Sequence, residues 1–171
     1  MAECLNALKE WTGKSTVTII YDSMVDEFTD ECMFQTVRGK PNIAIVATTT
    51  EGDVFGGFHS VAVTEQNKQL YDPNIFAFSF ESHGRCMTPQ RFYLSNESNG
   101  MAVGVFFKNN TLGRYVMFHG ANGGLSIGNE KSNPWCFYQS QCLVGVEDTT
   151  LAGKEDSEKF TCSRLVAIQL E

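Results

Sequence analysis

Apolar positions recur along this chain with two periods, and the shorter one dominates. At the start the spacing is helical: Cys4, Leu5, Leu8 and Trp11 fall on one face, and Gly13 is placed to close that helix. A second helix is predicted after Thr29, a suitable N-cap followed by Asp30 and Glu31 in the first turn. Phe28 and Met33 would staple its entry, Phe34 and Val37 continue its buried stripe, and Gly39 and Pro41 stop it. Elsewhere the period is two. Val17, Ile19 and Tyr21 alternate with their neighbours, as do Phe76, Phe78 and Phe80, which predicts half-buried strands. Phe92 to Leu94 reads as a short strand, and Asn67 to Asn74, polar and containing a proline, as a loop. Met101–Lys108 and Tyr115–His119 read as a hairpin around a glycine-containing loop. Phe160, Cys162, Val166, Ile168 and Leu170 mark a closing strand.

The stretch from Ile43 to Val61 is the most informative. An apolar, β-branched run breaks at Thr50-Glu51-Gly52-Asp53, and Val54-Phe55-Gly56-Gly57-Phe58 follows at once, which predicts a β-hairpin. A Gly-Gly pair weakens a strand interior, so it predicts a bulge, a sharp bend or close approach of another element. Many short strands, the turns between them and two helices together predict a mainly β (α+β) fold, a β-sandwich with peripheral helices.

Composition narrows the function classes. The chain has 171 residues, 42% hydrophobic and 19% charged, which suits one globular domain. A formal net charge of −7 argues against nucleic-acid partners, whose phosphates need Lys and Arg. No apolar run is long enough to span a bilayer, so no direct membrane insertion is expected. The six cysteines lack the two-residue spacing of a zinc or redox motif, and no secretory leader precedes them. Reduced thiols in the cytoplasm are the expectation, with no metal and no cofactor.

Candidate chemistry is thin. His59 could act as a general base beside a cysteine, but no third orienting group is legible, and a structural strand histidine is the simpler reading. Cys32 occupies a helix first turn, where a thiolate is favoured, yet Asp30 and Glu31 oppose it. Gly120 to Gly124 lacks the lysine and the following helix of a phosphate-binding loop. The charged loop carrying Glu155, Asp156 and Glu158 is the best candidate for a partner surface.

Several segments, taken in order, carry a resemblance. They are Ile19-Ile20-Tyr21; Asp26-Glu27-Phe28 with Phe34; the hairpin with Phe55, Gly56, Gly57 and Phe58, followed by Ser60; the aromatic strand Asn74 to Phe80; Gly123-Gly124-Leu125-Ser126-Ile127; and the strand from Phe160. In this order they resemble the TLDc domain, the module of the oxidation-resistance and nuclear-receptor-coactivator-like proteins. Two departures stand out: Val166 occupies the place of a glutamate usual in the family's final strand, and the glycine run after Phe118 is shorter.

The resemblance implies a two-sheet antiparallel β-sandwich flanked by helices. Residues 1–14 would form an N-terminal helix or extension and residues 15–171 the TLDc-like domain. It also implies a role in tolerance of oxidative stress. For several members it implies contact with the vacuolar proton-pumping ATPase (V-ATPase), and no agreed catalytic activity. The expectation is therefore a non-catalytic interaction domain; the alternative is a hydrolase or thiol-dependent enzyme using a Cys/His pair. The sequence carries no signal for an oligomeric state.

Overall fold

The computed structural model of the chain describes residues 2–86, 88–93, 103–109, 114–119, 124–128, 136–137, 143–147, 149–154 and 159–171. Helix α1 (Ala2–Thr12) ends as its sequence predicts, with Gly13 at φ +68 and the Lys14 N–H donating to Lys9 O at 3.2 Å. Helix α2 (Asp30–Val37) is capped by Thr29, whose Oγ1 accepts from the Cys32 N–H at 3.2 Å. Phe28 and Met33 both pack into the core at its entry.

The strands form two antiparallel sheets. The large sheet runs in the order β1 (Val17–Asp22), β11 (Cys162–Leu170), β2 (Ile43–Thr49), β3 (Val54–His59), β5 (Phe76–Glu81), β6 (Gln90–Tyr93). The small sheet runs β10 (Cys136–Phe137), β9 (Gly124–Gly128), β8 (Arg114–His119), β7 (Val103–Phe106), β4 (Gln69–Tyr71). The architecture is mostly β, as a sandwich requires, with β11 lying between β1 and β2.

Alternate residues of the large sheet serve two separate clusters. Ile43, Ile45, Ala47, Phe55, Ala77, Leu165 and Ala167 face inward and join Phe106, Val116, Phe118, Leu125 and Ile127 of the small sheet. Ala44, Val46, Phe58, Phe76, Phe78, Ile168 and Leu170 face outward, where α1 covers part of them. Leu8 is fully buried there, worth about 1.5–3 kcal/mol, with Leu5 and Trp11 packed beside it. The Trp11 ring lies edge-on to Phe76 at 6.0 Å and stacks near Phe80 at 6.2 Å.

Four expectations need correction. Asn67–Asn74 is not all loop: Gln69–Tyr71 pair with Val103–Val105 as an edge strand too short and polar to show a period. The phenylalanine strand β5 is not half-buried. Ala77 and Ser79 are sealed as well, because one face meets the sandwich interior and the other meets α1. The alternation in β1 breaks at a bulge between Ile19 and Tyr21, which turns Tyr21 inward and leaves Ile19 half-exposed. The closing strand has a similar irregularity between Cys162 and Arg164, so Cys162 faces inward although Val166 and Ile168 face outward.

Candidate functional site

The glycine pair explains how closely the sheets approach. The register of β2 with β3 is unbroken there, Ile45 opposite Gly57 and Val46 opposite Gly56, so the expected bulge is absent at this point. Neither glycine has a positive φ. Of the three reasons a strand glycine can have, close approach is the one that applies. A Cβ on Gly57 would lie 2.5 Å from Phe118 Cδ2, where the small sheet lays a ring across the bare backbone. A Cβ on Gly56 would lie 1.9 Å from Ile45 O and 2.9 Å from Phe78 Cζ. The motif aromatics complete the seal. Phe55 stands edge-on to Phe160 at 5.1 Å, Phe34 meets Phe106 at 6.3 Å, and Phe28 meets Tyr115 at 5.7 Å, with Tyr115 Oη donating to Phe28 O. Phe58 stacks on Phe76 at 4.9 Å on the outward face.

His59 belongs to the sealed interior. It is fully buried, its Nδ1 lies 2.8 Å from Val61 O, and its ring stands edge-on to Phe106 at 5.5 Å. Burial pushes its pKa down to about 4, outweighing the Val61 carbonyl and the nearby Asp72 carboxylate, so the ring is neutral at neutral pH. Its Nε2 is buried without a hydrogen-bond partner among the described residues. Asp72, itself buried, fixes the adjoining turn by accepting from the Ser60 and Val61 N–H groups and from Ser60 Oγ.

A second polar cluster was not legible in the sequence. Asp53, in the β2–β3 turn, is 1% exposed. Its Oδ1 receives His83 Nδ1 at 2.9 Å and Arg85 Nη2 at 2.5 Å, and its N–H donates to Thr49 Oγ1 at 3.0 Å. A buried carboxylate needs such compensation. Arg85 Nε also reaches Thr150 O at 3.4 Å, and Lys154 pairs with Glu51 at 2.8 Å. The cluster therefore ties three loops together at one end of the large sheet. His83 is oriented by a carboxylate, as a general base would be, but among the described residues it bonds no hydroxyl or thiol.

On the outward face of the large sheet, beside the N-terminal end of α1, lies an open cavity of about 690 Å³. Val46, Val54, Phe80, Val166 and Ile168 form its apolar floor. Glu3, Glu81 and Arg164 bring charge to it, and Cys4 and Cys86 bring thiols. Arg164 is already engaged: its Nε donates to Asp22 Oδ1 at 3.0 Å and its Nη2 to Asp22 Oδ2. That bidentate pair, chiefly through its hydrogen bonds, holds the Asp22 carboxyl below its usual range and raises Arg164.

The predicted site residues are thus dispersed. Phe28, Phe34, Phe55 and Gly57 pack the interior, while Gly56 and Phe58 sit on the outward face. Gly124 opens β9. Cys32 is half-buried against the core at α2, Cys162 is sealed, and Cys4, Cys32 and Cys86 are free thiols. Gly123 and the loop residues Glu155, Asp156 and Glu158 lie outside the described residues. Among the described residues no helix is long and apolar enough to cross a membrane, and no three His, Cys, Asp or Glu side chains group as metal ligands.

A search of curated proteins gives no match to the chain. The family model of the TLDc domain matches residues 1–169, a span that takes in α1, both sheets and nearly all of β11. The chain belongs to the TLDc domain family.

Proposed function

We propose that this chain is a non-catalytic interaction domain of the cytoplasm that supports tolerance of oxidative stress by binding another protein, the partner being the V-ATPase. Family membership supports the stress role. The observation that carries the reading is the packed inner interface. With Phe118 laid on Gly57 and His59 neutral and enclosed, the space between the sheets is filled by side chains. That leaves the outer surface as the place where this chain acts. The loop with Glu155, Asp156 and Glu158 is the proposed contact, since acidic side chains suit a basic patch on the partner.

The test is direct binding of the purified chain to purified V-ATPase, measured by biolayer interferometry. Replacing Glu155, Asp156 and Glu158 with Ser should weaken binding and flatten its dependence on salt. Unchanged binding discards the loop as the contact, and no binding by either form discards the pump. The alternative, a Cys/His enzyme, requires a thiol that reacts with an electrophilic probe faster than free cysteine at neutral pH.

A further inference from the structure

We infer that the outward cavity of the large sheet binds one small amphiphile, an alkyl chain carrying a cationic head such as a long-chain amine. The site is independent of the proposed V-ATPase contact. Its volume of about 690 Å³ falls in the range of small-ligand pockets, about 300–1,000 Å³. The floor is unfinished core. Val46, Val54, Phe80, Val166 and Ile168 belong to the outward cluster, but α1 closes only the part under Leu5, Leu8 and Trp11. An alkyl chain laid there would cover Val54, Phe80 and Val166, which the fold leaves half-buried above the sealed Val46 and Ile168.

The charge at the mouth selects the head group. Glu3 and Glu81 are exposed carboxylates beside the cavity. Glu81 is held in place, its Oε1 accepting from the Ser82 and His83 N–H groups at 3.1 Å and 2.9 Å. The cation that lines the cavity, Arg164, is neutralised by its two hydrogen bonds to Asp22. A carboxylate head would face two like charges with its natural partner occupied, whereas an ammonium meets two carboxylates unopposed. Half-exposed Ile19 supplies an apolar lip at the edge.

The experiment uses the full chain and three probes of equal chain length: dodecylamine, dodecan-1-ol and dodecanoate, each below its aggregation limit, by isothermal titration calorimetry. Dodecylamine should bind more tightly than dodecanoate by roughly fivefold or more, and raising the salt should narrow the gap. The Glu3→Gln, Glu81→Gln double variant should abolish that preference. Ile19→Lys, at a half-exposed position, should reduce it, because one cation at the lip offsets one of the two carboxylates. Location is read from the thiols: bound dodecylamine should slow alkylation of Cys4 severalfold while leaving Cys32, which packs at α2, unchanged. Equal binding of all three probes, tighter binding of dodecanoate, no binding, or binding that leaves Cys4 as reactive as before would each overturn the proposal. Melting temperatures of the variants close to that of the parent keep the comparison interpretable.

Discussion

The two faces of the large sheet are made by the same strands, yet they end differently. The inward face is finished. Rings from the small sheet close on bare glycine backbone, and even its histidine is held neutral. The outward face is only partly finished: α1 covers Phe76 and Phe78 and leaves Val54, Phe80 and Val166 half-buried beside an open cavity with charged edges. The contrast teaches where specificity can reside. An interior packed to native density answers almost any change with a loss of stability. A face with spare room can change its chemistry at little cost to the fold.

The largest effect is expected where the sheet itself would have to open. Gly56→Ala sets a Cβ against the backbone oxygen of Ile45, which cannot rotate away, so a loss above about 4 kcal/mol is expected in urea titrations. A parent-like midpoint would mean that the strands can separate locally, and the contrast between faces would weaken.

Acid should expose the inward face next. His59 is held near pKa 4 in the folded chain, against about 6.5 unfolded. The unfolded state then binds the extra proton between those values, so this contribution is complete above about pH 6.5 and is lost as the pH falls toward 4. The loss is about 3 kcal/mol at most. His59→Phe should flatten that part of the profile, checked by unfolding at pH 7 and pH 4.5; a profile parallel to the parent's would place the titration elsewhere.

Gly57→Val should cost about 1–3 kcal/mol, because its obstacle is a ring rather than backbone. Phe118→Ala destabilises alone but should recover part of that loss when combined with it. Strict additivity of the two would mean that they do not touch.

The smallest effect belongs to the cavity edge. Asp22→Asn removes a partly exposed ion pair worth about 1 kcal/mol at neutral pH. Because the pair lowers the Asp22 pKa, its stabilisation is present above the unfolded carboxylate value of about 3.9 and disappears as the pH falls through the lowered folded value. Thermal melts of parent and variant should therefore differ at pH 7 and draw together as the pH falls below the unfolded carboxylate value.

What the sequence made legible was what neighbours decide. The Thr29 cap and the turn at Gly52 are short-range chemistry, and each appears where expected, while Phe28 and Met33 both join the core. The sandwich followed from counting strands and turns. What was missed depends on distant partners. Asp53 looks like an ordinary turn aspartate until His83 and Arg85, some thirty residues on, close over it. The β5 alternation promised one wet face, and only the placement of α1 dries it. Gly56 and Gly57 announced a constraint, but its cause lies in Phe118, on the other sheet, and in the Ile45 carbonyl. The cavity has no linear signature at all, since α1, β1, β2, β3, β5 and β11 each contribute to its wall.

Strand β11 has a temporal implication. Val17 pairs with Leu170 and Ile43 with Gln169, so β1 and β2, close neighbours in the chain, are bridged by a segment made long after both. A ribosome delivers the β2–β3 hairpin early, yet the slot beside Ile43–Thr49 stays vacant, its amides paired only with water, until residues 162–170 emerge. Closure of this sheet is thus a late, long-range step, and contacts of such sequence separation form slowly.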